Sequence, residues 1–258
     1  MKIKTKLSSV IFLIFAVVAI SALVLAVPNG PSIKAGATTR RNSSLDNTTG
    51  GTNEQAQAGN LTRLTINSTS VTNRWQGYYG NVTTQITLDD GNNYTLYDWA
   101  SASPRGEVYA SNGSANGAVT WSSVFCFNYT NNLSDEVPSN VQKFNGTDLE
   151  QTLGSNIYDK DSVNTTFNST YSGTFQVGSI TINGASGCRK ADLYSNDLYQ
   201  QSLFQEVLLT DNDSIIYTSI INQDQTGFQG APVDFEMLVG ENGDLPAATL
   251  YYFFVELS

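Results

Sequence analysis

Asparagine followed two positions later by serine or threonine recurs at Asn42, Asn47, Asn60, Asn67, Asn81, Asn93, Asn112, Asn128, Asn132, Asn145, Asn164, Asn168 and Asn212, which is 13 of the chain's 25 asparagines. Each triplet offers a side-chain amide nitrogen for N-glycosyl transfer, and chance placement would give about five. A polar β-protein collecting acceptors by accident is the alternative. Catalytic chemistry is narrowed by an absence: the sequence has no histidine. Ser-His-Asp and Cys-His nucleophiles, H-E-x-x-H zinc sites and histidine general bases are thereby excluded. Carboxylates remain. A glycosidase needs two of them about 5 to 9.5 Å apart, and Asp89, Asp98 and Glu107 fall in neighbouring strand-like runs. Nothing in the pattern selects them over surface acids, so no catalytic residue is assigned.

The acidic turns raise a second possibility. Asp89, Asp90 and Asn92, then Asp211 and Asp213, and Asp159 with Asp161 place hard oxygen ligands close together, as calcium requires. None has the D-x-[DN]-x-[DN]-G ladder closed by Glu, so solvated turn carboxylates are expected, with no metal and no cofactor. Nor does "NGSANG" at 112–117 match a phosphate-cradling loop. Trp75, Tyr78, Tyr79, Trp99 and Trp121 carry flat faces that could stack on pyranose rings, although core plugging is the expectation for such residues in a β-protein. Cys126 and Cys188 are the only cysteines. An even count in an exported chain is most simply a disulfide, two buried thiols being the alternative, and the spacing is nothing like CxxC.

Export is read from the first residues. Lys2, Lys4 and Lys6 precede an uncharged apolar run from Val10 to Val27, and Val24-Leu25-Ala26 would serve as a cleavage site. These eighteen residues, apolar but for Ser21, reach the lower limit for spanning a bilayer. Residues 1–27 are therefore a signal peptide or an uncleaved anchor, with retention favoured. Residues 28–59 are rich in Pro, Gly, Ser, Thr and Asn and have almost nothing apolar to bury, which predicts a linker or stalk. Thirteen basic residues less those three lysines leave ten against 23 acidic ones. So acidic a chain is a poor partner for nucleic acid, and it meets membrane only through its N-terminal segment.

From residue 60 to 258 the hydrophobic period is two. In "VTTQITLD", Val82, Thr84, Ile86 and Leu88 share one face, predicted to pack inward, and "DDGNN" turns the chain into "YTLYDW". Asn93 falls in that turn and Asn81 at the start of the first strand. "VLLTDNDSIIYT" echoes the pattern with Asn212 at its tip. Nine or ten short strands, with weak helical patterns only in "VQKFNGTDLEQTLG" and "ADLYSNDLYQQS", predict a mainly β fold, an antiparallel β-sandwich. The last strand is apolar on both faces, which predicts a central place in a sheet.

The strings "RWQGYYGNVTTQITLDDGNNYTLYDW", "RGEVYAS", "LLTDNDSIIYTSIIN", "DFEMLVGENG" and "TLYYFFVEL" resemble a recurring group of uncharacterised exported proteins of small-genome archaea of the nanoarchaeal and woesearchaeal kind. The likeness covers about residues 58–258. It implies an archaeal cell surface and no catalytic residue. Together these readings predict an extracellular, N-glycosylated surface protein with a structural role in the cell envelope or a filament, its partners being other surface proteins or copies of itself. The alternative is an adhesin or glycan-binding module; a carboxylate glycosidase ranks below both.

Overall fold

The computed structural model describes residues 58, 71–83, 85–100, 104–113, 119–130, 143–199, 202–243 and 248–257. The apolar N-terminal segment, the linker apart from Ala58, and the acceptors Asn42, Asn47, Asn60, Asn67 and Asn132 lie outside them. Among the described residues no helix is long and apolar enough to cross a membrane.

The fold is mainly β. In chain order the strands are β1 (Trp75–Gly80), β2 (Gln85–Asp89), β3 (Thr95–Ala100), β4 (Gly106–Ser111), β5 (Phe125–Cys126), β6 (Ser169–Thr170), β7 (Thr174–Val177), β8 (Ile180–Asn183), β9 (Arg189–Asp192), β10 (Tyr194–Ser195), β11 (Leu198–Tyr199), β12 (Gln205–Thr210), β13 (Ile215–Ile220), β14 (Gln225–Thr226), β15 (Pro232–Val233), β16 (Phe235–Gly240) and β17 (Tyr252–Leu257). Eleven of them have four residues or more, close to the nine or ten expected; the others are two-residue pairings too short to leave a periodic trace. Among the described residues two α-helices, α1 (Gly146–Thr152) and α2 (Val163–Thr166), interrupt them.

A seven-stranded antiparallel sheet runs β17-β4-β13-β12-β9-β6, with β5 also on β12. Its alternating side chains serve two cores. Val108, Ala110, Leu208, Tyr217 and Phe253 enter one, with Trp75, Tyr78, Met237 and Val239 of the β1–β16 ribbon. Tyr109, Val207, Leu209, Ile216 and Phe254 enter the other, with Phe175, Val177 and Ile182 of the β7–β8 hairpin. This dual burial corrects the expectation for the last strand. Among the described residues β17 pairs only with β4 and stands at the sheet's edge. Apolar residues on both faces report that both faces are covered, and they carry no information about lateral neighbours.

Three local expectations also change. "ADLYSNDLYQQS" is not helical: Asn196 and Asp197 take positive φ of 46° and 63° and join β10 to β11 as a two-residue hairpin turn. β2 begins at Gln85, so Asn81 follows β1 instead of opening the next strand. Leu88 is 50% exposed, because β2 and β3 form a separate two-stranded ribbon. Val82 does pack against the first core, while the side chain of Ile86 lies outside those described.

The helical pattern before Leu153 is realised as α1. Asn145 caps it, accepting from the Asp148 N–H at 3.0 Å while its own N–H donates to Asp148 Oδ2 at 2.8 Å. The disulfide Cys126–Cys188 is formed, with the two Cα atoms 4.8 Å apart. β9 and β5 share one edge of β12 end to end, and Cys126 faces Leu209. Continuing the β9 register by two residues carries Cys188 to the same place, which is how cysteines 62 positions apart meet.

Candidate functional site

The turn between β2 and β3 reverses the chain by its own hydrogen bonds. Asp90 Oδ1 accepts the N–H groups of Asn92 and Tyr94, both at 2.9 Å, and Asn93 adopts φ of 64°. Those N–H groups hold the Asp90 carboxyl below its ordinary range. The β12–β13 turn repeats the device. Asp211 Oδ1 accepts from Asp213 and Ser214, its Oδ2 accepts from the Thr120 N–H at 2.8 Å, and Asn212 has φ of 87°. Asp213 pairs with Lys143. Asp159 accepts the Asn156 N–H, and Asp161 the Thr72 hydroxyl. Each turn carboxylate thus has backbone, hydroxyl or ammonium partners, and among the described residues no group of three or more His, Cys, Asp or Glu could hold a metal.

Eight acceptor asparagines fall within the described residues. Asn81, Asn93, Asn112, Asn128 and Asn168 are exposed. At Asn128 the side-chain oxygen accepts from both the N–H and the hydroxyl of Thr130, at 3.0 and 3.1 Å. The other three are half-buried. Asn145 is the helix cap, Asn164 Oδ1 accepts from Arg189 at 2.9 Å, and Asn212 Oδ1 is buried without a partner among the described residues.

The aromatic candidates separate. Trp75 donates from its ring N–H to the Asp161 carbonyl at 2.6 Å and meets Tyr217 edge-on; Tyr78 packs on Phe253; Trp121 lies between Tyr109 and Phe254. These belong to the cores. Tyr79 is exposed beside Phe228, and Trp99 is 50% exposed, its ring set at 67° to that of Tyr97. Two rings so tilted make no common platform for a sugar chain.

The three carboxylates considered for glycosidase chemistry are not brought together either. Asp89 and Asp98 lie exposed on the β2–β3 ribbon, whereas Glu107 is buried in β4 opposite Glu256 of β17. Glu256 accepts the Gly178 N–H with both oxygens, at 2.9 and 3.0 Å, and the Tyr109 hydroxyl at 3.0 Å. Burial, then the neighbouring Glu256, pushes Glu107 up to about 8. Glu107 also lines an open cavity of about 440 Å³ at the end of β4 and β13, with Tyr171 and Phe175 on another wall.

Sequence reasoning passed over Glu256. The signal was a lone acid inside the most apolar strand. It also passed over Glu150, Glu206 and Glu236, all buried. Glu150 ties α1 to the start of α2, accepting the N–H groups of Val163 and Asn164 and the Tyr129 hydroxyl at 3.1, 2.9 and 2.8 Å. Among the described residues Glu206 accepts only the Leu238 N–H, and burial raises its pKa well above the ordinary value. No protein family, curated protein or solved structure matches the chain at a significant level.

Proposed function

We propose that this chain is an exported, N-glycosylated protein of an archaeal cell surface, displayed on its N-terminal segment and linker, with a structural role in the envelope or a filament and no catalytic one. The sandwich assignment belongs to the same reading. It is supported by apolar layers on both faces of the seven-stranded sheet. The observation that carries the structural role is the edge strand β17. It is six residues long, contains no Pro, Lys or Arg, and pairs on one side only among the described residues. Edges of that length are ordinarily blunted; in β17 the one inward acid, Glu256, is taken up by Gly178 and Tyr109, and the outer backbone edge is a template for pairing with another chain. No acceptor triplet follows Asn212 in the sequence, so glycans need not obstruct a second copy approaching there.

The adhesin alternative loses Trp75, whose ring is held within the core. Negative-stain microscopy of the full-length protein tests the proposal. Regular arrays or fibres are expected, and Leu257→Lys, at an exposed residue of β17, should disperse them. Wild-type protein that stays monomeric at high concentration would overturn it.

A further inference from the structure

The cavity beside Glu107 is not used by the structural reading, and its lining is unusual for a mere packing fault. Tyr171 is only 7% exposed, and its side chain lines the cavity. A phenol at a cavity wall can both donate to and accept from an incoming hydroxyl group. Glu107, 6% exposed, stands near it, close enough for its charge to raise the tyrosine's pKa beyond the effect of burial.

We propose that this cavity binds a neutral, hydroxyl-bearing ligand the size of one or two sugar rings. Its volume of about 440 Å³ lies in the range of small-molecule sites. Charge selects the class. Glu256 is taken up by the Gly178 N–H and the Tyr109 hydroxyl, and Glu107, pushed up to about 8 by burial and then by its neighbour, keeps its proton at neutral pH. A carboxylic acid and a phenol each donate and accept, the complement of adjacent hydroxyl groups. Arg105 stands exposed at the rim, so the opening does not favour a cation, and the acids within do not favour an anion. Phe175 and Ile221 supply an apolar wall for the C–H face of a ring.

The proposal stands independently of assembly through β17. Calorimetric titration of the full-length protein with methyl glucoside, methyl galactoside, N-acetylglucosamine, maltose and lactose tests it, with propylammonium and acetate as charged probes. At least one sugar should bind with a millimolar Kd. Tyr171→Phe, which removes only the hydroxyl, should weaken it about tenfold. Thr174→Trp, at an exposed residue of the cavity lining, should abolish binding without lowering the Tm. Trp99→Ala, on the separate ribbon, should change nothing. No sugar bound at about 20 mM, undiminished affinity in either cavity variant, or displacement by propylammonium or acetate overturns the proposal. Failure of assembly would be seen in the micrographs instead.

Discussion

Glu107 shows how much a single buried acid can govern. Its folded-state pKa, about 8, lies above the ordinary 4.5, so the folded form holds the proton more tightly than the unfolded one. The associated stability is fully present below about pH 4.5 and is lost as pH rises through 8. Glu206 and Glu236 are shifted in the same direction by burial and add to that slope. Thermal melts across pH 4 to 9 should therefore show a declining Tm. Glu107→Gln should flatten the curve and stabilise the protein at pH 9 by on the order of a few kcal/mol, with little change at pH 4. A Tm that rises between pH 5 and 8 would contradict the assignment. The asparagines divide at the same scale. Glycopeptide mass spectrometry should find sugar on the exposed Asn81, Asn93, Asn112, Asn128 and Asn168, with Asn145, Asn164 and Asn212 low or empty because their side chains are half-buried or hold local contacts.

At the scale of elements, β17 should be indispensable. It contributes Phe253 and Val255 to one core and Phe254 to the other, so truncation before Thr249 strips side chains from both faces of the sheet at once. Loss of cooperative unfolding by circular dichroism is the expected outcome. Gly106 secures the same junction: its φ is +119°, and a Cβ there would collide with the Glu256 carbonyl oxygen. Gly106→Ala should cost about 1–3 kcal/mol from the backbone conformation alone, read as a lowered urea midpoint. The Cys126–Cys188 bridge closes 62 residues and by loop-closure entropy contributes about 4 kcal/mol. Calorimetry with and without reductant should show a lower Tm in the reduced protein and a fold still intact, since the two cores do not depend on the bridge alone. Trp75→Ala should lower stability by about 3 kcal/mol, whereas Trp99→Ala should leave it unchanged.

For the whole molecule, the topological prediction concerns the N-terminal segment. If the apolar run is retained as an anchor, protein from native membranes should begin at or near Met1 and require detergent for release. A soluble form beginning at Val27 would remove the stalk while leaving export in place. Residues 28–59, if extended, could lift the β domain up to about 100 Å from the bilayer. At that height an open sheet edge on one molecule could reach the same edge on its neighbour.

The mainly β class and the hairpin turns were legible in the sequence because both are local: period two, acid-and-asparagine turns and the capping pair Asn145 and Asp148 act over a few residues. The two cysteines were countable in the same way, and the bridge is formed. The sequence did not determine how the faces were distributed. Alternation in "VTTQITLD" is the same whether the ribbon packs on a core or stands free, and only the assembled fold leaves Leu88 exposed. The strand ending "YFFVEL" is apolar on both faces whether it is central or at an edge, since covering layers and lateral neighbours are separate facts. The set of glutamates was equally hidden. Glu107 and Glu256 are far apart in the chain and become opposed only through the β4–β17 register, and burial within that register holds a proton on Glu107.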